Sequence, residues 1–248
     1  MPLNRLIEQF SEQAARTDSP AELFALTEAA ARELGFSRVA LVHGLSFRCP
    51  RRGLIHLENF GEWSNVFMER RYYLDDPGLL AAQRITHGFD WSAIRQFLPL
   101  SPRQLAILGE AGRHGLRTGY TLPVGVLGEP HGCCSFATER AVLPSRLECL
   151  AASHIGAEAF REARRLHGFP GRAMKAPRLS RRKRDCLRYV AMGKTDAEIA
   201  TILGLSASTV RSYMALLRRD FDVVSRAQLA AAALRLGVID YDDAIPPF

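Results

Sequence analysis

LSRRKRDCLRYVAMGKTDAEIATILGLSASTVRSYMALLRRDFDVVSRAQLAAAALRLGVI, residues 179–239, can be read helix by helix from its own punctuation. Ser180 stands where an N-cap belongs, ahead of a helix carrying Cys186, Leu187, Val190 and Ala191 inward. Gly193 follows as the residue able to close it. Thr195 and Glu198 have the spacing of a capping box for a second helix that buries Ile199, Ala200 and Leu203. Gly204-Leu205-Ser206 is a tight turn. Ser206 then caps a third helix through Phe221, with Val210, Met214 and Leu217 at i, i+4 and i+7 on its buried face. Two helices joined by a short turn containing Gly make a helix-turn-helix unit. The exposed face of the third helix carries Ser208, Arg211, Ser212, Ala215, Arg218 and Arg219. Small and basic residues near its start suit a helix that enters the major groove of double-stranded DNA, and Arg211 suits guanine O6 and N7. Lys194, Thr195, Ser206 and Thr209 sit near helix N-termini, where hydroxyls and backbone N–H groups hold phosphates.

Charge supports this reading. The chain of 248 residues has a net charge of +7. Residues 172–248 hold 14 Lys and Arg against 8 Asp and Glu, so nearly all of the excess lies in this third of the sequence. A basic cluster joined to a neutral remainder is the electrostatic footprint of a polyanion-binding domain. A hydrophobic share of 47% is ordinary for a globular protein and excludes a disordered or fibrous chain. No apolar run approaches a membrane span, and MPLNRLIEQFSEQ does not have the form of a secretory signal. Five scattered cysteines suggest reduced thiols, so a cytoplasmic location is expected.

Upstream, HGFPGRAMKAP (167–177) breaks the pattern and places a linker at residues 168–178. The expected domains are therefore 1–167 and 179–248. The first opens with a helix over 2–16 and a second begun by Ser19-Pro20 and stopped at Gly35. Strands are expected over 37–45 and 52–60, paired across a turn containing Cys49-Pro50. Helices are expected over 62–73, after Asp76-Pro77 and over 102–114. A hairpin of 118–127 with 131–138 turns around Gly128-Glu129-Pro130, and Leu143-Pro144-Ser145 opens a long helix to about His167. This order predicts an α+β fold, an antiparallel sheet between helical layers, followed by an all-α helix-turn-helix domain. It is not the βα alternation of a phospho-receiver.

The C-terminal segment resembles the DNA-binding domain of LuxR-type transcription regulators. Leu187, Gly193-Lys194, Glu198-Ile199-Ala200, Leu203-Gly204, Ser206, Thr209-Val210 and Gly237 fall at that family's spacing. The resemblance places base reading at Arg211, Ser212 and Ala215. It makes Ser225–Leu236 a fourth helix, whose Ala227, Ala230, Ala231 and Leu234 pair with a twin in a dimer. Lys183 departs from the family, which normally has Glu there, and puts a helical surface contact in doubt. Trp63, Asp76-Pro77, Trp91 and Gly119 lie at the spacing of the autoinducer-binding domains of quorum-sensing LuxR-type receptors. That resemblance implies an α-β-α sandwich that binds an N-acyl-homoserine lactone or a related acylated signal. Trp63 Nε1–H then suits the lactone carbonyl, Asp76 the ligand amide N–H, and Ser135 the acyl carbonyl region, with Trp91 as an apolar wall and Thr121 lining the pocket. Gly119 is read as structural, giving a strand room beside a helix. Phe67 replaces the family's usual Tyr and loses a hydrogen bond worth ~0.5–1.5 kcal/mol, which directs acyl recognition toward another acyl group or a non-lactone signal.

Expected partners are double-stranded DNA, the small-molecule autoinducer and a second copy of the chain, with room for RNA polymerase and none for a membrane. Cys133-Cys134 and His131 invite a nucleophile, but neighbouring strand residues point to opposite faces. No nucleophile elbow or zinc spacing occurs, so no catalytic residue, metal or cofactor is expected. Two rival readings are a signal sink or heterodimerising antagonist that does not bind DNA, and a lactone-hydrolysing enzyme.

Overall fold

The computed structural model describes residues 2–44, 55–126, 129, 131–169 and 176–245. The expected Cys49-Pro50 turn, most of the Gly128 turn and residues 170–175 of the expected linker lie outside these. The chain divides into two units near residues 171 and 172.

The first unit opens with α1 (Leu3–Ala14) and α2 (Pro20–Glu33), the latter capped by the Ser19 hydroxyl, which accepts from the Glu22 N–H. β1 (Arg38–His43) and β2 (Ile55–Glu58) follow. The helix expected over 62–73 is shorter: α3 (Glu62–Glu69) stops where Arg71 adopts a left-handed φ of 55°, and a 3-10 turn over Tyr72–Leu74 leads on. α4 (Pro77–Ala82) begins at Asp76. A two-residue strand that the sequence had not signalled, β3 (Phe89–Asp90), precedes a 3-10 turn over Trp91–Ala93, α5 (Ile94–Phe97) and α6 (Pro102–Arg113). β4 (Thr118–Val124) and β5 (Gly132–Thr138) lead to α7 (Arg146–Leu166), opened by the capping box of Ser145 with Glu148.

The five strands form one antiparallel sheet in the order β2-β1-β5-β4-β3. Each expected hairpin partner is present, and β5 inserts beside β1 to join them, with Ser135 opposite both Ala40 and Thr121. One sheet face carries Val39, Leu41, Tyr120, Cys134 and Phe136 into a core with α1, α2 and α7. The other carries Ala40, Thr121, Cys133 and Ser135 toward α3, α4 and α6. This is an α-β-α sandwich, and the period-two alternation gives each layer its own set of side chains. Phe169, placed in the linker by sequence, packs against the first unit's core.

The second unit is all-α. α8 (Arg181–Ala191), α9 (Asp196–Leu203), α10 (Ala207–Asp220) and α11 (Arg226–Arg235) enclose Cys186, Leu187, Val190, Ile199, Val210, Met214, Leu217, Leu229 and Ala233. A short α12 (Tyr241–Ala244) follows, tied back by Arg188 to Asp243 at 2.9 Å. Ser180, Thr195, Ser206 and Ser225 each cap the following helix through their side chains. α9 and α10 bend by 113° across the left-handed Gly204, within the range of a helix-turn-helix. Lys183 makes a contact of its own: Nζ lies 2.8 Å from Asp220 Oδ2, joining α8 to the end of α10 and holding the Asp220 carboxyl below its usual range.

Gly119 gives β4 room beside the Trp91 indole at the start of the 3-10 turn. A Cβ there would lie 2.4 Å from the ring. Gly119→Ala is expected to displace the indole and destabilise the first unit by about 1–3 kcal/mol, the usual cost of overpacking. Thermal unfolding together with tryptophan emission of the full chain measures both effects.

Candidate functional site

A cavity of about 100 Å³ lies between the second face of the sheet and α3, α4 and α6. Its walls bring together all six residues singled out in sequence: Trp63, Phe67, Asp76, Trp91, Thr121 and Ser135. Trp63 is buried near the start of α3, and Phe67 stands one turn later with its ring 5.9 Å from the indole. Tyr72 and His114 flank the same indole at 5.8 and 5.6 Å. Among the described residues none accepts a hydrogen bond from Trp63 Nε1–H.

Asp76 serves two ends at once. As N-cap of α4 its Oδ1 accepts from the Leu79 N–H at 2.8 Å, which makes the Asp-Pro pair a helix start. The same carboxyl lines the cavity. Burial pushes it up to about 6, while backbone N–H groups of Leu79 and Gly78 pull it partly back and no cation contributes.

Trp91 is more than an apolar wall. Its Nε1–H donates to Thr121 Oγ1 at 2.9 Å, and that hydroxyl lies 2.9 Å from Ser135 Oγ. Ser135 in turn reaches Cys133 Sγ at 3.9 Å. The adjacent cysteines do face opposite ways, Cys133 into the cavity and Cys134 into the α1-α2-α7 core. Burial raises the Cys133 thiol to about 12 and pushes Cys134 well above the ordinary thiol range, so neither is a nucleophile at neutral pH.

Much of the lining was not singled out in sequence. Phe60, Met68, Ile94, Leu108 and Leu116 supply apolar walls, while His56 and Glu58 bring polar groups from β2. The apolar residues carry no signal beyond ordinary core periodicity. His56 and Glu58 were legible as the alternate face of a strand whose Ile55 and Leu57 turn to the core.

In the second unit, Lys194, Thr195, Ser206, Ser208, Arg211, Ser212 and Ala215 are exposed, and Thr209 and Arg218 are half-buried. They share the start of α9 and the outward side of α10. The hydroxyls are already engaged in holding the helices. Thr195 Oγ1 donates to Glu198 at 2.7 Å, Ser206 Oγ accepts from the Thr209 N–H at 3.0 Å, and Ser212 Oγ donates to the Ser208 carbonyl at 3.0 Å. Lys194 at the start of α9 and Arg211 on α10 are exposed beside these engaged hydroxyls. Arg226 fixes the loop before α9, with Nη1 on Asp196 Oδ1 at 2.6 Å and Nη2 on the Lys194 carbonyl. No group of residues suited to holding a metal occurs among the described residues, and no single helix there is long and apolar enough to cross a membrane.

Residues 19–163 match the family described as autoinducer binding domain, and residues 177–233 match bacterial regulatory proteins, luxR family. The chain is 26% identical over 212 residues to the transcriptional activator protein TraR of Rhizobium radiobacter, covering 84% of this chain and 88% of that protein. It is 28% identical over 229 residues to the quorum-sensing regulator RhlR of Pseudomonas aeruginosa, covering 88% and 89%. The fold is similar to a structure of SdiA in complex with octanoyl-rac-glycerol, with a TM-score of 0.63, 21% identity and coverage of 97% and 98%. A structure of Escherichia coli SdiA gives 0.60 at 24% identity, covering 94% and 97%. An acyl-ligand cavity and a helix-turn-helix thus occur in one chain whose relatives are regulators and not enzymes, and the chain belongs to the LuxR family of quorum-sensing transcriptional regulators.

Proposed function

We propose that this regulator binds an N-acyl-homoserine lactone in the cavity of residues 1–167 and, as a cytoplasmic homodimer, carries the signal to DNA through residues 179–248 and a linker over 168–178. The observation that carries the ligand reading is Asp76. It is a carboxylate in a largely apolar cavity, with no cation beside it and the Trp63 indole N–H without an acceptor among the described residues. One acceptor and one donor face the same space. An amide N–H on the ligand satisfies the first, and a lactone carbonyl the second. The Thr121 and Ser135 hydroxyls take the acyl carbonyl, and the Trp91 indole, fixed by Thr121, closes the lactone end. Phe67 gives the acyl group a ring face but no hydrogen bond, so discrimination at that carbonyl rests on Ser135. SdiA in complex with octanoyl-rac-glycerol supports an acyl group as the common ligand element.

Two exposed seams support a homodimer. On α7, Leu147, Leu150, His154 and Ala157 recur at spacings of three, four and three on the solvent side. On α11, Ala227 and Ala231 are exposed beside half-buried Ala230 and Leu234, a face small enough for close helix approach. Two recognition helices then meet half-sites about one helical turn apart. Arg211, Ser212 and Ala215 read bases. Lys194, with the helix starts at Thr195, Ser206, Ser208 and Thr209, and Arg218 farther along α10, position the phosphates. RNA polymerase is the protein partner such a DNA-bound dimer would meet.

The pH dependence follows from Asp76. Its folded pKa stands above the ordinary 3.8, so the ligand-free protein disfavours the ionised form, and that contribution to stability is lost as pH rises through about 6. A ligand N–H favours the ionised form. Affinity for N-octanoyl-homoserine lactone is therefore expected to be constant above about 6 and to fall up to tenfold per pH unit below it. In Asp76→Asn affinity is expected to be weaker and flat with pH. Titration calorimetry from pH 5 to 7.5 checks this, and an unchanged slope in Asp76→Asn rejects the assignment.

For DNA, Arg211→Ala is expected to lose about 1–3 kcal/mol at one base pair and to relax preference there. Lys194→Ala is expected to weaken cognate and scrambled duplexes alike and to lower the slope of log K against log salt by about 1. Fluorescence anisotropy on both duplexes over a salt series separates the two effects.

A further inference from the structure

The strand register lines up one lateral row across four strands on the cavity face. Thr121 pairs with Ser135, Ser135 with Ala40, and Ala40 with Glu58. All four line the cavity. The row begins beside Trp91, which donates to Thr121, and ends at the carboxylate of Glu58 on the outer strand β2. Between the two polar ends the sheet contributes only the Ala40 methyl on this row. Val42 stands on the parallel row, between Cys133 and His56. Phe67 and Met68 lie opposite on α3. The cavity is therefore polar at both ends and apolar between them. A chain end that is purely apolar would bring a methyl group against a carboxylate that also holds the Phe60 N–H, desolvating it with no hydrogen bond in return.

We propose that Glu58, with His56 beside it on the same face of β2, is a specificity determinant for a hydrogen-bond-donating group at the far end of the acyl chain. The ligand class is an acyl signal bearing a terminal hydroxyl or a comparable donor, not a plain alkanoyl chain. Two strand spacings separate Ser135 from Glu58, about 10 Å. With C–C bonds of about 1.5 Å in an extended zigzag, that span takes about six to eight carbons from the acyl carbonyl. The row thus sets both the chemistry of the terminus and the chain length. Small size at Ala40 keeps the floor of the row low enough for the chain to cross the sheet.

This inference rests on the lactone end lying at Trp63 and Asp76, and the test separates the two. Binding of N-octanoyl-homoserine lactone and N-(8-hydroxyoctanoyl)-homoserine lactone is measured by calorimetry on the full chain, on Asp76→Asn, Glu58→Gln and Glu58→Met. The wild type is expected to bind the hydroxylated ligand at least tenfold more tightly. Glu58→Gln, which keeps an acceptor oxygen, is expected to retain the preference, and Glu58→Met to reverse it. Equal affinities in the wild type overturn the inference, and that ratio decides the matter even if Glu58→Met fails to fold. A ratio unchanged in a folded Glu58→Met overturns it as well. If Asp76→Asn weakens both ligands while their ratio stays at one, the lactone reading stands and only the role of Glu58 falls. If Asp76→Asn weakens neither, the lactone reading falls, and the wild-type ratio still decides the role of Glu58.

Discussion

β5 is covered on both faces and bonded on both edges, and the first unit is organised around that strand. Its edges pair with β1 and β4, which joins two hairpins into one sheet. Its alternate residues serve different layers: Cys134 and Phe136 fill the α1-α2-α7 core, while Cys133 and Ser135 floor the cavity. A one-residue slip against β1 would exchange these sets, placing Phe136 in the cavity and Ser135 in the apolar core. Gly156 lets α7 approach β5 closely, since a Cβ there would lie 3.1 Å from Cys134.

The cavity's polar groups fall into two kinds. Trp91, Thr121 and Ser135 already bond to one another, so this part of the cavity wall is held by its own hydrogen bonds. Asp76 and Trp63 do not complete each other. The carboxyl is held in place by the Leu79 N–H and is raised by burial, so its ionised form gains most from an outside donor. Signal binding then contributes to folding stability by linkage, because only the folded chain presents the site. Asp76 thus has two places in the fold at once: it caps α4 by accepting from the Leu79 N–H, and it lines the cavity.

In the second unit the small polar residues hold the helices in shape. Thr195, Ser206 and Ser212 spend their hydroxyls on helix starts and on the α10 backbone. Arg226 and Lys183 fix the positions of the α9 start and the α10 end through Asp196 and Asp220. The +6 excess of this third is therefore not all available to phosphate, since Lys183, Arg188 and Arg226 are engaged in intradomain pairs. Arg211 is exposed on the outward side of α10 and makes no such pair among the described residues.

Local chemistry was enough to determine the caps at Ser19, Ser145, Ser180, Thr195 and Ser206, the helix-turn-helix and its outward face, and the apolar strands. Each depends on residues within a turn or two of one another, where hydrogen-bond geometry and hydrophobic period are encoded directly. Trp63, Asp76 and Trp91 were legible as an ordered set of spacings, and Phe67, Thr121 and Ser135 through the family resemblance, but none of them as neighbours. Only the tertiary structure inserted β5 beside β1, ended α3 at Arg71, bonded Trp91 to Thr121, laid its indole over Gly119 and paired Lys183 with Asp220. The row from Thr121 to Glu58 belongs to this second class. Its members are separated by long stretches of sequence, and their alignment is set by strand register, which no local preference specifies.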